Sequence, residues 1–116
     1  MKIPFSLPVI DAEVIAEMQD TLTRTGWLTT GPKARSLEDE IRQFTGGEAV
    51  LCVNSWTSGA MLMLRWLGVG AGDEVIVQSN TYIASVMGIT INGATPVFVE
   101  PDAYYQIDAD KIEEKI

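Results

Sequence analysis

Histidine is absent from the 116 residues and cysteine occurs once. The first absence removes the commonest general base, the Ser/His and Cys/His dyads and most zinc sites, so no metal site is expected. The second excludes an internal disulfide; Cys52 sits in an apolar run, where a buried structural thiol is the expectation. Basic side chains are scarce as well. Lys and Arg number 8 against 16 Asp and Glu, a formal charge of -8 that argues against nucleic acid or an anionic membrane surface as partner. Long apolar runs are missing, because Arg65 and the Gly, Asp and Glu residues of 68–74 interrupt the best candidate for a membrane span. The start, MKIPFSLPVID, has a single Lys, two prolines and no apolar core of a secretory signal. These absences leave a soluble, cytoplasmic chain as the expectation.

What is present is 47% hydrophobic sequence, enough for one sizeable core and no second domain. Residues Asp11 to Arg24 place Val14, Ile15, Met18 and Leu22 at helical spacing, with Asp11 as N-cap and Gly26 as the stop. After the loop GWLTTGP, the same signal returns over Lys33 to Thr45 through Leu37, Ile41 and Phe44, ended by Gly46-Gly47. AVLCV (49–53), Glu74 to Val77 and TPVFVE (95–100) read as buried strands, the first of them central and all three parallel. Ser58 to Leu67 and Ile83 to Ile91 read as the intervening helices, and Asp108 as the cap of a last helix, ADKIEEKI. The fold class is therefore α/β, a largely parallel sheet with flanking helices. ADKIEEKI carries no terminating Gly or Pro within its barely two turns, so 1–116 reads as a piece of a larger domain.

The stretch NSWTSG (54–59) joins a strand-like run to a helix. Backbone N–H groups left free at a helix N-terminus converge on anions, and Ser55, Thr57 and Ser58 add hydroxyls, while Gly59 and Ala60 keep the approach open. Plain capping by Asn54 or Ser55 accounts for the same residues without a ligand. Both readings stand. GVGAGDE (68–74) is glycine-rich too, but its glycines follow a helix C-terminus beside Asp73 and Glu74, a field that repels phosphate, so it is a connection. In open α/β sheets the loops after parallel strands line one crevice, which directs QSNTYIAS (78–85) toward NSWTSG. Tyr82 then either offers a ring face beside a phosphate turn or packs beneath the next helix.

Four blocks in order, GWLTTGPK (26–33), VNSWTSGAMLML (53–64), GVGAGDEVIVQSNTYIAS (68–85) and GATPVFVEPD (93–102), resemble the N-terminal part of the nucleotide-sugar aminotransferases of the DegT/StrS type. Those are pyridoxal phosphate enzymes of fold type I, and the resemblance covers nearly the whole chain. It implies that Thr57 and Ser58 hold the cofactor phosphate, that Tyr82 stacks on the pyridine ring, and that Thr29 and Thr30 neighbour the nucleotide-sugar substrate. It implies a homodimer that takes an amino group from an amino-acid donor, glutamate, and gives it to a keto group of a nucleotide-linked sugar. Trp56 and Gln78 depart from the family's pattern, which more often has a small residue and Pro there. The Schiff-base Lys and the Asp facing the pyridine nitrogen fall outside these residues by the same resemblance. Lys2, Lys33, Lys111 and Lys115 lie at a terminus or on polar helix faces, so no catalytic residue is assigned and the segment alone is expected to be inactive. The alternative is a non-catalytic α/β module that binds a phosphoanion or serves assembly.

Overall fold

The computed structural model describes residues 3–116. They form two compact units, divided between Cys52 and Val53. Among the described residues no helix is long and apolar enough to cross a membrane.

The first unit is helical. Helix α1 spans Ala12–Asp20, and the Asp11 carboxylate accepts the Val14 N–H at 3.0 Å, the expected cap. The helical spacing predicted one helix to Arg24. Instead α1 widens into a π-helical turn, Thr21–Thr25, closed by the Gly26 N–H donating to the Thr21 carbonyl at 2.9 Å. The cause lies in three threonines. The hydroxyls of Thr21, Thr23 and Thr25 donate to the carbonyls of Glu17, Gln19 and Thr21 at 2.9, 2.8 and 3.0 Å, and such back-bonding competes with the regular ladder. Helix α2, Pro32–Thr45, starts with a proline whose missing N–H costs nothing at that position, and it ends on Gly46 with φ 70.

The strand expected at 49–53 is not formed. A strand needs a neighbouring backbone to complete its ladder. Here the Cys52 N–H donates to the Glu38 carboxylate at 2.8 Å, and the Cys52 thiol lies 4.0 Å from the Ala34 carbonyl. A side chain of α2 takes the donor that a strand would have used. Cys52 is accordingly half-buried, not enclosed.

The second unit carries the parallel sheet. Helix α3 spans Trp56–Trp66, two residues ahead of the expected start at Ser58. Strands β1, Glu74–Gln78, and β2, Thr95–Val99, pair in parallel with Glu74 opposite Thr95 and Gln78 opposite Val99. Helix α4, Ile83–Thr90, is the crossover that parallel pairing demands. The ladder is prolonged by Ser79 N–H to the Val99 carbonyl at 2.8 Å and Thr95 N–H to the Asp73 carbonyl at 2.9 Å. Ala84 and Ile89 of α4 bury against this pair with Ala94 and Val99, the last wholly enclosed. Helices α3 and α4 meet closely. A Cβ on Gly88 would stand 3.1 Å from the Ala60 Cβ, so any side chain there makes α3 give way by a few tenths of an ångström and a large one has no room. Asn92 fixes the same contact by donating to the carbonyls of Met61 and Gly88 at 3.0 and 2.9 Å.

The last segment is not the expected helix but two 3-10 turns, Ala109–Lys111 and Glu113–Lys115. Asp108 does cap it, accepting the Asp110 N–H at 3.1 Å. With so few residues, i to i+3 bonds close sooner than an α-helix can nucleate. The fold class is α/β, a parallel sheet flanked by helices, as expected.

Candidate functional site

Because α3 starts at Trp56, Ser55 is its N-cap, in extended backbone, and its hydroxyl accepts the Ser58 N–H at 3.1 Å. The two serine hydroxyls lie 3.0 Å apart. Capping is therefore real, but it uses one donor. Trp56 and Thr57 head the helix, where an α-helix leaves N–H groups without partners of its own. Their donors are the ones still available to an anion.

Tyr82 stands at the start of α4 as its N-cap and makes no side-chain capping bond. The residue is 79% exposed. A cavity of about 310 Å³ is lined by Trp56, Thr57, Tyr82, Ala84 and Ser85, so the first turns of two helices contribute to one space. The positive ends of both helix dipoles act there, and no carboxylate is among the lining residues. Ser85 is held by Thr81, their hydroxyls 2.9 Å apart. Gln78 braces the loop that carries Tyr82, its amide donating to the carbonyls of Asn80 and, at 3.1 Å, Tyr105.

Of the residues singled out in the sequence, Thr57 and Tyr82 come to the same cavity, and Ser58 lies one residue behind Thr57, engaged with Ser55. Trp56, which departs from the family's pattern, also lines that cavity, and Ala84 and Ser85 do so without having been assigned to it. Ser85 was signalled by its spacing, since three residues after an N-cap is the same helix face. Thr29 and Thr30 belong to the other unit. There Thr30 lines a cavity of about 560 Å³ with Trp27, Gly31, Pro32, Arg35, Ser36 and Asp39, while the Thr29 carbonyl accepts the Gly31 N–H at 2.9 Å. The glycine turn after α3 is self-satisfied, Gly70 N–H donating to the Asp73 carboxylate at 2.8 Å, in keeping with a connection.

Neither Lys33 nor Lys111 is an amine primed to attack a carbonyl. Lys33 donates to the Glu17 carboxylate and lies 3.0 Å from Asp20, contacts that raise its pKa from the ordinary value and keep it an ammonium. Lys111 pairs with Asp108 at 3.4 Å. Lys2 lies outside the described residues.

Comparison with known proteins places these features in a family. A UDP-4-amino-4-deoxy-L-arabinose–oxoglutarate aminotransferase from Shewanella sediminis is 46% identical over 101 residues, 87% of this chain and 26% of that protein. The structure of Spr1654 from Streptococcus pneumoniae, assigned as a sugar aminotransferase and solved in its PLP form, is 47% identical, with a TM-score of 0.89 over 100% of this chain and 30% of that one. Its PMP form superposes equally well, at 0.89. The chain thus spans less than a third of the length of these relatives. Residues 8–116 match the family's own pattern, and the chain belongs to the DegT/DnrJ/EryC1/StrS aminotransferase family.

Proposed function

We propose that these residues are the N-terminal part of the cofactor-binding large domain of a pyridoxal phosphate-dependent nucleotide-sugar aminotransferase. The complete protein acts as a cytoplasmic homodimer and moves an amino group from an amino acid, glutamate, to the keto carbon of a nucleotide-linked deoxysugar. The observation that carries this is the cavity where the head of α3 meets the Tyr82 ring. Pyridoxal phosphate joins a dianionic phosphate to a flat ring, and the site offers unpaired helix donors for the one and an exposed aromatic face for the other.

In this reading Thr57 gives its N–H and its hydroxyl to the phosphate, and Ser58 adds its hydroxyl or, by leaving Ser55, its N–H. Tyr82 holds the ring by its face. Trp56 narrows the approach and limits water. When bound, the cofactor supplies the electron sink through which the amino group is passed on; this chain's residues orient it and fix its charge. Lys33, kept as an ammonium by carboxylates, takes no part in covalent chemistry. Thr29 and Thr30 contact the nucleotide-sugar.

The rival, a phosphoanion-binding module without catalysis, is favoured by one observation, the Ser55 cap on the Ser58 N–H. Mixing the complete, cofactor-loaded protein with excess glutamate separates the two. An aminotransferase converts bound pyridoxal phosphate to the pyridoxamine form, seen as a shift of the cofactor's absorbance to shorter wavelength, and the rival leaves the spectrum unchanged.

A further inference from the structure

We propose that Lys33 is a positioning residue for the substrate loop. With Glu17 and Asp20 it closes the base of the 26–31 loop and so holds Thr29 and Thr30 in place. This rests on the reading that the loop meets the nucleotide-sugar.

Lys33 sits in the first turn of α2, at the positive end of that helix, where a cation is disfavoured. Its placement is offset by acidic groups from α1. The ammonium donates to the Glu17 carbonyl at 2.7 Å and to the Glu17 carboxylate, and lies 3.0 Å from the Asp20 Oδ2. Asp20 is shared. Arg24, in the π-helical turn, holds it with Nε at 2.5 Å and a second nitrogen at 2.9 Å. One chain of charges therefore ties the end of α1, the π turn and the start of α2, and Glu13 lines the same space beside Lys33. These contacts hold Asp20 well below the usual carboxylate range and Lys33 above its own, so both stay charged around neutrality.

The loop between these ends is folded back on itself. Gly26 takes φ 65, Trp27 N–H donates to the Thr25 hydroxyl at 3.3 Å, and Gly31 N–H donates to the Thr29 carbonyl at 2.9 Å. A Cβ on Gly31 would stand 2.6 Å from the Trp27 Cβ, which marks how tightly the loop's two sides meet. Inside the loop there are few hydrogen bonds, so its shape depends on where its ends are pinned. The side chains of Lys33 and Asp20 are about a third exposed, and Glu17 more so. Salt reaches such a clasp and weakens it.

A substrate that needs one loop shape binds with an affinity proportional to the fraction of time the loop spends in that shape. Opening the clasp should raise the dissociation constant of the sugar by roughly three- to tenfold and leave cofactor affinity unchanged. The test uses the complete protein and its Lys33→Met, Lys33→Arg and Thr29→Ala/Thr30→Ala variants. Amide hydrogen exchange reports on residues 26–31. Calorimetry with UDP-4-amino-4-deoxy-L-arabinose, the sugar in the Shewanella relative's name, reports binding. Expected are faster exchange of 26–31 and weaker sugar binding in Lys33→Met, recovery in Lys33→Arg, and a wild type that approaches Lys33→Met as salt rises while Lys33→Met itself responds less. Equal exchange in wild type and Lys33→Met at low salt overturns the clasp. Sugar binding weakened by the threonine changes but not by Lys33→Met also overturns it and leaves the substrate reading standing. Threonine changes without effect on sugar binding overturn the substrate reading itself, and the proposed purpose of the clasp with it.

Discussion

The Ser55 hydroxyl competes with any anion for the Ser58 N–H. The Ser55 hydroxyl occupies the Ser58 N–H at 3.1 Å, while Thr57 heads the helix unencumbered by it. Losing an N-cap side chain costs about 1 kcal/mol of stability. Ser55→Ala should therefore lower the urea midpoint yet leave pyridoxal phosphate affinity within about threefold, because the freed N–H of Ser58 becomes a donor to the phosphate. A loss of affinity as large as that of Thr57→Ala would show that Ser55 itself is the ligand. At this scale the meeting of Thr57 and Tyr82 at one cavity was legible from sequence, since a turn into a helix and an aromatic in the next strand's loop are local signals. Ala84 was not, because it reaches that cavity only through the angle at which α4 crosses α3.

Asp20 ties its charge to Arg24 and Lys33. Its pKa is depressed, the Arg24 hydrogen bond first and Lys33 second, so the contribution is fully present above the ordinary carboxylate pKa. It is lost only as pH falls through the depressed value, in strong acid. For Lys33 the pKa is raised, chiefly by Glu17, and the contribution is present below the ordinary lysine value and lost as pH rises through the raised one. Exchange of 26–31, corrected for its intrinsic pH dependence, should accordingly stay flat from pH 5 to 9. In Asp20→Asn it should be faster across that whole range.

Elements were legible where periodicity was long and obscured where a side chain outbid the backbone. Helices α2, α3 and α4 and strands β1 and β2 lie within two residues of the expected bounds. The run at 49–53 has strand composition, but composition does not supply a ladder partner, and Glu38 takes the Cys52 N–H. Thr21, Thr23 and Thr25 fit a helical pattern by position and still end α1, through their hydroxyls. The α3–α4 crossing allows a quantitative test at Gly88. Gly88→Ala gains about 1 kcal/mol of helix propensity and meets Ala60 at 3.1 Å, so the two effects offset and stability should change little. Gly88→Val adds branches with no space to enter and should destabilise by about 1–3 kcal/mol, read from the denaturation midpoint at unchanged m. By our proposal it should also weaken cofactor binding, because residues of both α3 and α4 line the cavity assigned to the cofactor.

The whole molecule leaves much apolar side chain in water. The buried core among the described residues is Ala84, Ile89, Ala94 and Val99, all in the second unit. Leu62, Met63 and Trp66 of α3 are exposed in that unit, and Val14, Ile15, Met18, Leu37 and Phe44 in the first. Faces of this kind ordinarily serve as contacts. Our proposal of a homodimer predicts that the complete protein sediments at twice its chain mass at micromolar concentration; a compact monomer there would contradict it. Fold class could be read from sequence at this scale because strands alternating with helices admit few architectures. Which faces remain uncovered could not, since helical periodicity marks an apolar stripe without naming its partner.

Our proposal that Thr57 and Tyr82 hold pyridoxal phosphate between them is tested by titrating the cofactor into the complete protein. Affinity, followed by cofactor absorbance, should fall by about 1.5–3 kcal/mol in Thr57→Ala, as expected for a lost hydrogen bond to a charged acceptor. It should fall by roughly 1 kcal/mol beyond lost contact area in Tyr82→Ala and stay nearly unchanged in Tyr82→Phe, which keeps the ring. Wild-type affinity in both Thr57→Ala and Tyr82→Ala would contradict the assignment and return the turn at 54–59 to a plain helix cap.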